Sequence, residues 1–333
     1  MDPRGATATL TALERLAQRT GDEFPALVAA RERTDERLGA ARAALDGVAV
    51  DPGATVALMG SWGRRELTSG SDEDWLVVHR GRADDEVRPG VEELSRVLRP
   101  PAGAQEIFNR AVAVEELTRF GLSADDNTNM TQRLLFLLES VPLLGPDAHR
   151  EAQRAILAAY LEGDRRDRRP PRFLLNDVIR YWRTIAVDFE GKARQGSRKW
   201  ALRHAKLRTS RAMLFAGGLL PILACHHVVA DEVLPFLLEA FAEPPTDRIA
   251  RAFLEHDAAD AGGRTLGAYD RFLSLIDDPE RRGRLEALDR DAAPGDPVFQ
   301  DARRLGREVQ QGLLALLFER EPLRRLARQY LVF

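Results

Sequence analysis

Two short apolar runs, held apart by a polar segment rich in glycine and acids, constrain this chain more than any other feature. Ala54-Thr55-Val56-Ala57-Leu58-Met59 ends at Gly60, and Trp75-Leu76-Val77-Val78 ends near Gly81. Each run has the length and the β-branched or aromatic content of a strand. Between them, Gly60-Ser61-Trp62-Gly63-Arg64-Arg65-Glu66 offers a small-residue turn with room for one helical turn. Ser71-Asp72-Glu73-Asp74 then places alternating acids at the opening of the second strand. The spacing predicts two strands bracketing a polar turn.

Helical periodicity surrounds this pair. Leu10, Leu13, Leu16, Leu27, Val28, Leu38 and Leu45 recur at helical spacing, with a break at Gly21-Asp22, which predicts two or three N-terminal helices. Glu92 to Leu98 has helical character, and Gln105 to Val114 reads as a further strand. Asn127 can cap a helix running through Leu138, ahead of a Pro142 to Pro146 break, and Asp147 caps another that stops at Gly163. The charged, proline-terminated stretch Asp164 to Pro171 has the character of a linker. Beyond it nearly every segment is helical in period, with Leu174, Leu175, Val178, Trp182, Ile185 and Phe189 on one face of the first helix. The pattern predicts an α+β protein. Residues 1–165 form a mixed-sheet domain with N-terminal helices, and residues 166–333 form an all-α domain.

Composition bounds the chemistry. At 333 residues the chain exceeds the usual single core. Its 44% apolar content and formal net charge of −3 describe a packed globular protein and exclude one that holds nucleic acid over its whole surface. Cys225 is the only cysteine, so no intramolecular disulfide forms, and Cys225-His226-His227 cannot converge on zinc as consecutive residues. The longest apolar runs, such as Ala212 to Leu223, are too short to span a bilayer, and no N-terminal targeting segment is evident, which makes the cytoplasm the expected address.

The polar segment carries the chemistry. Glycine at 60 permits close backbone approach to a ligand, and Ser61 can offer its hydroxyl and amide to phosphate at the start of a helical turn. Side chains alternate across a strand, so Asp72 and Asp74 share a face that Glu73 does not, and together they can hold hard cations. The competing plain reading is a solvated acidic loop between two strands. Tryptophans 75 and 200 are read as packing residues, and His79 as a strand end without function.

The segment resembles the signature of the DNA polymerase β-type nucleotidyltransferase superfamily, a Gly-Ser pair followed by acid-x-acid on a strand. Gly63-Arg64-Arg65-Glu66 and Ser71-Asp72-Glu73-Asp74 look most like bacterial protein uridylyl- and adenylyltransferases. The resemblance covers about twenty residues. It implies a polymerase β-like domain in which Gly60, Ser61 and Arg64 bind nucleotide. Asp72 and Asp74, with Glu106 as third carboxylate, would act as catalytic and metal-binding residues for magnesium, or manganese in its place. Arg64 and Glu66 match residues that brace the turn. The implied reaction moves NMP from an NTP, ATP or UTP, to a hydroxyl of a protein, a tRNA or other RNA, a second nucleotide or a small molecule, with pyrophosphate leaving. The rival is a nucleotide-binding regulatory protein that keeps the fold without turnover, and the third carboxylate discriminates between them.

Between Gly191 and Ala230 there is no Asp or Glu, while Lys192, Arg194, Arg198, Lys199, Arg203, Lys206, Arg208 and Arg211 crowd its first half. If Lys199 to Phe215 is one helix, Lys199, Arg203 and Lys206 share a face suited to phosphate. Asn176, Arg180 and Arg183 form a second polar stripe on the preceding helix, and the two stripes could line one cleft. Superfamily members with a helical second domain send cations to the triphosphate, which implies nucleotide contacts for Lys199, Arg203 and Lys206.

Overall fold

The computed structural model describes residues 10–47, 51–81, 98, 107–121, 126–164, 167–195 and 199–331. The fold is α+β. Helices α1 (Ala12–Thr20) and α2 (Pro25–Ala44) precede strands β1 (Ala54–Leu58), β2 (Trp75–His79) and β3 (Arg110–Ala113). Helix α3 (Asp126–Leu138), strand β4 (Val141–Leu144) and α4 (Pro146–Leu161) follow. From there every α-helix or strand described is a helix: α5 (Arg172–Arg194), α6 (Trp200–Arg208), α7 (Ser210–Ala224), α8 (Val233–Ala242), α9 (Pro245–Glu255), α10 (Ala259–Asp277), α11 (Pro279–Ala287), α12 (Pro297–Glu319) and α13 (Leu323–Tyr330).

The sheet is small and mixed, in the order β3-β2-β1-β4. Strand β1 pairs antiparallel with β2 and β4, and β2 pairs parallel with β3. Both faces of its centre are covered, which is why β1 and β2 read as continuous apolar runs. Ala57, Leu76 and Val78 join the main core on one face, while Val56, Leu58, Trp75 and Val77 meet Leu38 and Leu45 on the other. Strand β4 replaces the expected Pro142 to Pro146 break. Pro142 can sit in a strand because β4 is an edge of the sheet, where a missing N–H breaks no ladder. The expected strand from Gln105 is confined, among described residues, to Arg110–Ala113, and Val114 already opens a helical turn.

Alpha-helix starts leave N–H groups without partners, and here the C-terminal half supplies acceptors to N-terminal helices. Thr11 caps α1 locally through a capping box with Glu14, and the buried Asp247 carboxylate also accepts from the Leu13 N–H at 3.0 Å. Phe24 cannot cap α2, so the buried Asp270 accepts from the Leu27 N–H at 2.8 Å. Arg31 on α2 pairs with the same Asp247. The main core accordingly runs without interruption from Leu13 to Leu326.

Arg133 on α3 is the polar centre of this packing. It is 1% exposed and donates to the Asp177 carboxylate and the Tyr160 hydroxyl, both at 2.7 Å, while Tyr160 donates to Asp177 at 2.7 Å. Asp126 lies 3.5 Å from Arg133 and takes a 2.6 Å bond from Arg180. Helices α3, α4 and α5 are thereby joined across the sequence that reads as a linker.

Candidate functional site

The end of β1 and the approach to β2 meet at the mouth of a cleft of about 460 Å³. Met59 N–H donates to the Asp74 carbonyl at 2.8 Å, continuing the strand pairing one step past the regular ladder. Gly60 has φ +65°, a left-handed conformation that glycine adopts without strain. A single helical turn follows, with the Arg64 N–H donating to the Gly60 carbonyl at 3.0 Å. Trp62 Nε1 donates to the Asp72 carbonyl at 3.1 Å and ties the turn to the acidic segment.

Gly63 is set by packing. A Cβ there would lie 1.9 Å from the Glu139 carbonyl oxygen, a backbone atom just past α3 that cannot move cheaply. Gly63→Ala is therefore expected to lose about 3 kcal/mol in chemical denaturation, at the upper end for overpacking. A loss below about 1 kcal/mol would mean that the turn and Glu139 are not in this contact.

Asp72 and Asp74 both line the cleft, whereas Glu73 turns away to Arg37 at 3.2 Å. Burial, then the Asp72 charge, then Glu139, push the Asp74 carboxyl up to about 6. The two carboxylates thus repel one another, and Arg211 and Arg64 offset part of the effect on Asp74. That donor set suits a hard divalent cation, which would keep both carboxylates ionised and still leave positions for water and phosphate oxygens. Among the described residues no group of three or more His, Cys, Asp or Glu converges as metal ligands. Glu106 lies outside the described residues.

Arg64 reaches the cleft wall, but its guanidinium is committed. It donates to Glu66 at 2.8 Å and pairs with the buried Glu139. Glu66 in turn accepts from the Tyr269 hydroxyl on α10 at 2.7 Å. The Arg64–Glu66 pair braces the turn and anchors it to the helical half. Ser69 on the same loop donates its N–H to Asp277 at the end of α10, at 2.7 Å.

The cleft lining also carries cations. Arg203, Lys206 and Arg211 line the same cleft as Gly60, Ser61, Asp72 and Asp74. Burial, with Arg282, Arg211 and Arg64 nearby, brings Lys206 down to about 8, a surrounding that favours an incoming anion. Lys199 is elsewhere. The stretch is not one helix, because α6 stops at Arg208, Thr209 leaves helical geometry, and α7 begins at Ser210. Lys199 precedes α6 with φ +65° and pairs with Glu286 at 3.1 Å, so it is not among the cleft residues.

Asn176, Arg180 and Arg183 do not line the cleft either. Arg180 turns to Asp126, and α5 presents Tyr181, Thr184, Ile185, Asp188, Phe189 and Lys192 instead. Sequence reasoning gave no role to Glu139 and Tyr269, and counted Arg211 only among the basic residues. Glu139, followed by Ser140, and Tyr269, followed by Asp270-Arg271, carry no motif or spacing that marks them locally. Arg211 belonged to a visible charge run, but its position depended on the break at Thr209.

No protein-family model and no curated protein matches the chain. No helix among the described residues is long and apolar enough to cross a membrane.

Proposed function

We propose that this protein is a magnesium-dependent nucleotidyltransferase of the polymerase β type, acting in the cytoplasm on ATP or UTP. It would transfer NMP to a hydroxyl acceptor, which is a protein, an RNA, a nucleotide or a small molecule. One observation carries the reading: the Gly60-Ser61 turn, the Asp72 and Asp74 carboxylates and the Arg203, Lys206 and Arg211 cations face a single cleft. An acid pair alone would be a surface loop, and a basic run alone a solvated face. Lining one space of ligand size together, they suit a polyanion that carries its own cation.

Asp72 and Asp74 would hold magnesium, which neutralises phosphate charge and aligns the in-line displacement. Gly60 lets the phosphate chain approach the backbone, and Ser61 donates to it. The acceptor oxygen bonds to the α-phosphorus as the bond to the bridging oxygen breaks, and the hydroxyl proton passes to a site carboxylate, for which Glu106 is the proposed group. Lys206, Arg203 and Arg211 meet the charge that develops on departing pyrophosphate. Arg64 braces the turn and touches nucleotide only at its edge.

The test supplies α-labelled ATP or UTP with Mg²⁺ to the full chain and a panel of protein, tRNA, nucleotide and small hydroxyl acceptors. Label transfer with matching pyrophosphate release is expected. Arg211→Ala should raise the KM for nucleotide roughly tenfold or more, the worth of one charge-assisted hydrogen bond. Nucleotide bound yet never transferred would favour the regulatory reading, and no nucleotide binding would remove both.

A further inference from the structure

Tyr181 on α5 lines the cleft and is 2% exposed, and its buried hydroxyl has no hydrogen-bond partner among the described residues. A hydroxyl taken out of water without a new bond costs free energy in the ligand-free protein. A fold that keeps such a group beside a ligand-sized space calls for an explanation, and a ligand that brings the missing acceptor supplies one.

The helix that carries Tyr181 is held in place on both sides of it. One turn earlier, the Asp177 carboxylate accepts from Arg133 and from the Tyr160 hydroxyl, both at 2.7 Å. At the next residue, Trp182 stacks on Phe215 of α7, with ring centroids 5.2 Å apart. These contacts fix the rotation of α5 and so the side of it that forms the cleft wall.

The surroundings of the phenol are those of the acid pair. Burial pushes Tyr181 above its ordinary range, and Arg211, Glu139 and Arg64 are the charges that act on it. The same three act on the Asp74 carboxyl. Arg64 and Glu139 are paired with each other. Tyr181 therefore keeps its proton at neutral pH and remains a neutral donor. A donor without an acceptor, beside Arg211 and sharing the surroundings of Asp74, suits an anionic oxygen that arrives with a metal ion.

We propose that the Tyr181 hydroxyl donates to a phosphate oxygen of the bound nucleotide, next to Arg211 at the Asp74 end of the cleft. This assignment rests on the nucleotide reading and adds to it a binding residue from α5, where the sequence shows no phosphate motif. Arg211 supplies charge there, and Tyr181 supplies a directed hydrogen bond.

Wild type, Tyr181→Phe and Arg211→Ala are titrated calorimetrically, as full chains, with MgATP, MgUTP and magnesium tripolyphosphate, which has no base or sugar. Phenylalanine keeps the ring in the core and removes only the hydroxyl. Affinity of Tyr181→Phe for the ligands that wild type binds, tripolyphosphate included, should fall about tenfold, the worth of a hydrogen bond to a charged group. Its thermal midpoint without ligand should match wild type or exceed it, because the lost hydroxyl had no partner. Unchanged affinity in Tyr181→Phe, with binding weakened in Arg211→Ala, would overturn the tyrosine assignment and leave the nucleotide reading standing. A lowered thermal midpoint in Tyr181→Phe would also overturn it, by showing that the hydroxyl has a structural partner. No binding of any of the three ligands to wild type would remove both.

Discussion

Replacing Asp72 and Asp74 together by alanine is expected to lower nucleotide transfer by roughly three orders of magnitude or more, because it removes the anchor for the metal that stabilises the displacement. The same change should leave the fold intact. Asp72 is exposed, and the Asp74 contribution to the strand pairing is its backbone carbonyl, which alanine retains. The Asp74 side chain is unfavourable in the metal-free protein, since its carboxyl rises from 3.8 to about 6. A carboxyl raised in the folded state binds its proton more tightly there than in the unfolded chain. Its stabilising contribution is complete below pH 3.8 and is lost as pH climbs through about 6. In magnesium-free buffer, wild type should therefore lose stability relative to Asp74→Asn over that window. Denaturation at several pH values measures the difference, and added Mg²⁺ should restore wild type but not the variant. Transfer that persists in the double alanine variant would sink the active-site assignment, while a parallel loss of fold would show that the pair is structural.

Arg133→Met should cost about 3 to 5 kcal/mol of stability, the penalty for leaving buried charge without its partner. The guanidinium is 1% exposed and lies against the Phe120 ring at 4.6 Å, so methionine fills its volume and the loss is electrostatic. The buried Asp177 would lose its guanidinium partner and keep the Tyr160 hydroxyl at 2.7 Å and Arg180 at 3.7 Å, the Tyr160 hydroxyl would lose its donor, and Asp126 would keep Arg180. Adding Asp177→Asn to Arg133→Met should recover part of the loss, since the stranded charge is then gone. Equilibrium denaturation of the single and double variants forms the cycle. A single-variant loss under about 1 kcal/mol, or no recovery in the double, would contradict a tightly coupled network.

The helical positions read from sequence lie close to those of the structure where periodicity is strong and the stop signal local. Gly21 ends α1 in a left-handed conformation, as its place after the periodic leucines suggests. The strands β1 and β2 were legible because both their faces are buried, which makes them continuous apolar runs. Strand β4 was not, because Val141-Pro142-Leu143-Leu144 is short and bears a proline, and its status depends on Thr55 and its neighbours in β1 lying alongside. Thr209 illustrates the same limit in a helix. No glycine or proline marks the break, yet it decides where Arg211 lies relative to Arg203 and Lys206, while Lys199, left-handed ahead of α6, pairs with Glu286.

The sequence by itself determined the local chemistry: a glycine-serine turn, two alternating acids leading into a strand, and a cationic stretch that contains no acid of its own. Those features arise within a few residues, where backbone geometry and side-chain alternation suffice. Only the tertiary structure decided which of them meet. Residues such as Arg133 and Asp177, Tyr269 and Glu66, or Asp270 and Leu27, are far apart along the chain. Their contact follows from burial of the shared core, which fixes helix positions and so selects which polar side chains face the cleft and which only hold its walls.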